Sequence, residues 1–118
     1  MKRVIVCGGR DYSGQGTAFT ILDDFVREDE GDEIAQGGAS GADALARDWA
    51  EDRGCKCTTF KADWTKHGRA AGPIRNQEML VTFKPDLVIA FPGGAGTADM
   101  VRRAKAAGIQ VVRVEGHT

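Results

Sequence analysis

Short β-branched runs alternate along the chain with longer stretches whose apolar residues recur every three to four positions, and the alternation repeats to the end. Arg3–Cys7 predicts a first strand, broken by Gly8-Gly9. Ala18, Ile21, Leu22, Phe25 and Val26 fall at helical spacing and predict an amphipathic helix over residues 17–28. Glu33–Gln36 predicts a second strand, ended by Gly37-Gly38. Ala42, Leu45, Ala46, Trp49 and Ala50 mark a second helix, which Gly54 stops. Residues 55–60 read as a third strand, and residues 61–72 have no clean period. Pro73 suits the first position of a helix running to Phe83, because the N–H it lacks has no acceptor there. Residues 86–91 form a nearly all-apolar strand, which predicts a central position buried on both faces. A helix over 97–107, closed by Gly108, and a fifth strand over 109–114 complete the pattern.

Strand–helix alternation of this kind predicts a parallel sheet covered by helices on both faces. The fold class is therefore α/β: one Rossmann-like, three-layer domain over residues 1–118 with a five-stranded, mainly parallel sheet. Right-handed crossovers favour the strand order 3-2-1-4-5, with the switch point between strands 1 and 4. Ligands of such sheets bind outside the carboxyl ends of the strands, near that point.

Composition narrows the function classes. Apolar residues at 42% and charged residues at 28% are normal for a globular domain, which excludes wholesale disorder. A net charge of −1 argues against a surface built to neutralise nucleic-acid phosphates. No apolar run approaches the ~20 residues that span a bilayer, and the apolar stretch before Gly8 is too short for a signal-peptide core. The three cysteines suggest no disulfide framework; Cys55 and Cys57 share one face of a strand, and a reduced, cytoplasmic compartment is expected. The sequence contains no metal-ligand spacing and no nucleophile elbow, so neither a metal nor a required cofactor is expected.

Three strand ends carry glycine pairs, which let a ligand approach the backbone closely. The turn built from Gly93, Gly94, Gly96 and Thr97 leads into a helix whose free N–H groups and dipole favour phosphate, with Thr97 suited to cap it. Gly38 and Ser40 precede the second helix, where Ser40 and Asp43 stand at capping-box spacing; Asp43 alternatively bonds a ligand ribose or amine. Gly8 and Gly9 precede Arg10, a bidentate phosphate partner by type, and Tyr12, which offers a ring to a base. Lys61, Lys66, His67, Arg69 and Arg75 face a single acid, Asp63, and form a local positive stretch. Arg75 and Asn76 fall in the first turn of the helix assigned to 73–83. A cation there opposes the dipole, and an anionic ligand would offset it. The acidic cluster between Asp23 and Glu33 reads as a solvated helix end and turn. Asp63 and Asp99 are the carboxylates considered for acid or base work.

Gly8-Gly9-Arg10-Asp11-Tyr12, Gly37-Gly38-Ala39-Ser40-Gly41-Ala42-Asp43, Ala62-Asp63-Trp64, Gly72-Pro73-Ile74-Arg75-Asn76 and Phe91-Pro92-Gly93-Gly94-Ala95-Gly96-Thr97 together resemble the YspA-type (cpYpsA-related) members of the SLOG superfamily. That superfamily includes LOG phosphoribohydrolases, DprA/SMF proteins and molybdenum-cofactor carriers. The resemblance implies a nucleotide or nucleotide-derived ligand (a nucleoside monophosphate, ADP-ribose or an NAD-like molecule), handled by a sensor or carrier. It also implies standalone bacterial or phage proteins that are often homo-oligomers. LOG enzymes cleave the N-glycosidic bond of nucleoside monophosphates with an arginine that precedes a methionine and the glutamate of PGGxGTxxE. Arg75 and Met79 match the first element. Met100 stands at the glutamate position, and Asp99 is one residue early, a rotation of about 100° on a helix. That departure moves the expectation from a nucleotide N-glycosidase toward a binder of a small-molecule nucleotide. A DNA-processing partner, by analogy with DprA, is opposed by the net charge.

Overall fold

The computed structural model describes residues 1–115. Five parallel strands, β1 (Arg3–Cys7), β2 (Glu33–Gln36), β3 (Lys56–Thr59), β4 (Leu87–Ala90) and β5 (Gln110–Arg113), form one sheet in the order β3-β2-β1-β4-β5. The helices are α1 (Gln15–Phe25), α2 (Ala42–Arg53), α3 (Trp64–His67), α4 (Ala71–Phe83) and α5 (Ala95–Ala106). The chain winds outward from β1 to β3 and then returns to β4 on the other side of β1. Right-handed crossovers therefore put the helices of the two halves on opposite faces.

Alternation within each strand feeds both faces. Val4, Val6, Ile34, Leu87 and Ile89 point to the layer built with Ala18, Leu22, Ala46 and Trp49 of α1 and α2. Ile5, Ala35 and Val88 point to the layer built with Met79, Phe83, Met100 and Ala104 of α4 and α5. The three inner strands are buried along almost their whole length, whereas β3 and β5 expose their ends. This is what an apolar β4 requires.

Several boundaries differ from the sequence expectation, each for a local reason. The first helix starts at Gln15 and stops at Phe25, because Val26 turns extended and Asp32 takes the Arg27 N–H at 2.9 Å. A single 3₁₀ turn, Glu28–Glu30, follows. The acidic cluster is not merely solvated. Asp32 is buried and also receives the Lys2 N–H, while Asp23 accepts from Trp49 Nε1 and from Arg53, each at 2.9 Å. The aperiodic 61–72 stretch contains α3 and a 3₁₀ turn, Gly68–Ala70. The fourth helix begins at Ala71, so Pro73 is its third residue rather than its first; the N–H it lacks is still one without an intrahelical acceptor.

Trp49 is fully buried between α1 and the sheet, with its one polar atom bonded to Asp23. Replacing Trp49 with Ala is expected to cost about 3–5 kcal/mol, the usual range for deleting a large buried aromatic. Urea denaturation of the two proteins measures it.

A candidate ligand cleft at the switch point

The carboxyl ends of β1, β2 and β4 are joined by hydrogen bonds between their glycine turns. The Gly9 N–H donates to the Pro92 carbonyl at 2.8 Å, and the Gly9 carbonyl accepts from the N–H of Ala42 at 3.1 Å and of Tyr12 at 3.2 Å. Ser40 Oγ donates to the Arg10 carbonyl at 3.0 Å. These approaches leave no room for side chains at two positions. A Cβ on Gly41, where φ is +70°, would collide with the Gly9 carbonyl oxygen. One on Gly93 would lie 2.6 Å from the Gly9 nitrogen. A cleft of about 1010 Å³ opens above the joined turns and is lined by all three.

A buried polar chain fixes the cleft's walls. Gln36, wholly inaccessible at the end of β2, donates to Thr59 Oγ1 at 2.6 Å and accepts from the Gly38 N–H at 2.6 Å and from Arg47 at 2.9 Å. Asp43, buried, accepts from the Ala39 N–H at 3.2 Å. Arg75 reaches across from α4 and donates to the carbonyls of Gly37 at 2.9 Å and Phe60 at 3.3 Å, and through Nε to Asn76 Oδ1 at 3.0 Å. Asn76, also buried, donates in turn to the Gly96 carbonyl at 3.2 Å and to Asp99 at 3.0 Å. Every strand end on the β2 side is thus tied to the first turn of α5.

Charge at the site follows from these contacts. Burial raises the Asp43 carboxyl above its ordinary value, although the Ala39 N–H and the Arg75 and Arg47 guanidinium groups oppose the shift. Burial, together with the Asp43 charge, pushes the Cys7 thiol up to about 12, so this cleft-lining cysteine stays protonated at neutral pH. Burial lowers Arg75, while Asp43 acts against that.

Gly8, Gly9, Arg10, Gly38, Ser40, Asp43, Arg75, Asn76, Gly93, Gly94, Gly96 and Thr97 all line the cleft, as the strand ends require. Some of their local roles differ from the expectation. Ser40 and Asp43 do not form a capping box: Gly41 is the residue before α2, Ser40 faces Arg10, and Asp43 bonds the turn that precedes it. Thr97 is the third residue of α5, and Gly94 precedes that helix without a side-chain cap. Arg75 is the fifth residue of α4, beyond the first turn, and it faces carbonyl oxygens and Asp43. The dipole therefore demands no ligand to offset it.

Neither candidate acid lines the cleft. Asp63 accepts the Lys66 N–H at 3.0 Å and starts α3. Asp99 is held by Asn76, by Arg103 at 2.8 Å and by Arg102. Four further residues belong to the site, of which only Gln36 and Arg47 carry no functional expectation from the sequence. Gln36 and Arg47 build the wall, and Met79 and Met100 line the cleft's inner surface, each almost wholly buried. Arg47 stands four residues after Asp43 on α2, a spacing that could have flagged it. A glutamine in a four-residue strand leaves no comparable signal.

Comparison with known proteins gives a consistent picture. The model of the YspA, cpYpsA-related SLOG family matches residues 2–67. The Gene 61 protein of Mycobacterium phage D29 is 38% identical over 120 residues, covering 95% of each chain. Among solved structures, DNA processing protein A (DprA) from Streptococcus pneumoniae superimposes with a TM-score of 0.79 at 17% identity, over 99% of this chain and 51% of that one. The structural-genomics protein TM1055 does so at 0.74 and 20%, over 94% of this chain and 72% of that one. At these identities the two structures speak for the fold.

Asp99 supplies a check on the network. Burial acts to raise its carboxyl, but the hydrogen bonds from Asn76 and Arg103 and the two guanidinium charges together hold it below the ordinary aspartate value. Folding therefore favours the ionised form, and its stabilisation is present at neutral pH and lost as pH falls through the lowered value. In urea denaturation across pH, the stability advantage of the natural protein over Asp99→Asn is expected to be largest at neutral pH. It should shrink from about pH 5 downward.

Proposed function

The chain belongs to the YspA, cpYpsA-related SLOG family, which carries a nucleotide-related role, and on that premise we propose that it binds a nucleotide or nucleotide-derived molecule with its phosphate on the first turn of α5. One observation carries the reading. Gly96 is the second residue of a helix, has no positive φ, and would have open space around a Cβ. Glycine in the middle of a helix costs the fold roughly 0.5–1 kcal/mol relative to alanine, an upper bound for a first-turn position. Gly16 stands equally open at the second position of α1 but away from the cleft, whereas Gly96 lines it, where a ligand can lie against the bare backbone.

The surroundings support the same reading. The first N–H groups of α5 have no intrahelical acceptor, no side chain caps them, and they lie at the positive end of the helix dipole. Arg75 and Arg10 line the same cleft and add positive charge. The start of α2, also at the cleft, offers no equivalent, since the Asp43 carboxylate already occupies the turn before it. The phosphate is therefore assigned to α5. With Met100 at the glutamate position of the hydrolases and neither candidate aspartate among the residues that line the cleft, binding, as a sensor or carrier does, is favoured over glycosidic-bond cleavage.

Gly96→Ala separates folding from binding. Its denaturation midpoint is expected to stay the same or rise, by up to about 1 kcal/mol of stability, while calorimetric affinity for AMP or ADP-ribose falls at least about tenfold, or 1.4 kcal/mol. Unchanged affinity in the variant, or no affinity in the natural protein, would sink the proposal.

A further inference from the structure

Trp64 is the one aromatic side chain among the large apolar residues left exposed in the described structure, at 50%. It sits at the cleft rather than on a remote surface. Its position is fixed from both sides. Asp63 starts α3 by accepting the Lys66 N–H at 3.0 Å, and the Asp63 carbonyl accepts the His67 N–H at 3.0 Å. The edge of the indole lies over Gly72 in the first turn of α4, where a Cβ would stand 3.5 Å from Cη2. The Arg10 guanidinium, from the turn after β1, lies over the ring at 5.4 Å from its centroid.

Tyr12, the other aromatic residue of the cleft, is already engaged. Its ring packs on Phe91 at 5.2 Å between centroids. The cleft's volume, about 1010 Å³, is far more than a phosphate on α5 would fill. Nucleobases stack on aromatic rings, an indole face among them, and on guanidinium planes.

We propose that Trp64, with Arg10, is the platform on which the ligand's aromatic base stacks, so that the ligand is a nucleotide with its base in place rather than a sugar phosphate. This assignment rests on the phosphate site proposed for α5. Base and phosphate then lie on separate elements of one cleft, α3 and α5, with the Arg75–Asn76 bridge between them. Base–aromatic stacking is sequence-tolerant because every base has a π face. The platform therefore selects for a base without naming which.

The chain has two tryptophans, and Trp49 is buried in the core away from the cleft, so quenching of emission by a ligand reports on Trp64. The experiment titrates AMP, ribose 5-phosphate and adenosine into the natural protein, Trp64→Ala and Trp64→Phe, following fluorescence and calorimetry. AMP is expected to quench emission and to bind about tenfold tighter than ribose 5-phosphate. Trp64→Ala should erase that advantage while leaving ribose 5-phosphate affinity in place, and Trp64→Phe should keep part of it. Equal affinity for AMP and ribose 5-phosphate in the natural protein overturns the platform, as does an equal loss for both in Trp64→Ala. Adenosine binding as tightly as AMP, in a Trp64-dependent way, keeps the platform and removes the phosphate site instead. If none of the three ligands binds, both assignments fall.

Discussion

The peptide group of Gly9 is where the two halves of this fold are fastened together. Its N–H reaches the chain leaving β4, and its carbonyl receives the first N–H of α2. A parallel sheet with helices on both faces splits at its switch point, because the crossovers on either side diverge there. The pairing of β1 with β2 and β4 holds the strands themselves, but the turns beyond their carboxyl ends would be free to spread without a further link. Here one peptide spans the split, and the absence of a Cβ at Gly41 and at Gly93 is what allows the approach. The cleft above it has a fixed base for the same reason.

From that base the starts of α2 and α5 are put to different uses. The end of α2 is filled from within by Asp43, whose carboxylate holds the preceding turn and is itself balanced by Arg75 and Arg47. The end of α5 is left uncapped. Two equivalent anion sites a short distance apart would repel their own occupants and place the ligand ambiguously. One internal carboxylate and one open terminus give the cleft a direction. Gln36 and Asn76 carry no charge, yet they transmit this arrangement, since each satisfies backbone groups of the turns it supports.

The strand order, the parallel sheet and the cleft's position were legible in the chain because they depend on patterns that repeat: β-branched runs, helical spacing and glycine pairs at strand ends. All twelve binding candidates line the cleft for that reason. What was not legible depends on single contacts between distant segments. Nothing near Asp99 in sequence says that its carboxylate would be held by Asn76 and Arg103 rather than line the cleft. Pro73 signals a helix start without fixing its register, because proline is tolerated anywhere among the first N–H groups. Tyr12 and Trp64 look alike as loop aromatics. Only packing on Phe91 separates the engaged ring from the exposed one.

The inner surface of the cleft includes Met79 and Met100, both sealed from solvent beneath a rim of glycine turns and guanidinium groups. Methionine is unbranched and polarisable, and it refills a changed space at little cost. The backbone around it is locked by the Gly9 bridge and the Gln36 and Asn76 bonds. Rigid walls over a pliant bed divide the evolutionary labour. Substitutions at the rim would reshape the cleft's mouth, and the methionines would absorb the resulting misfit without a change in the frame.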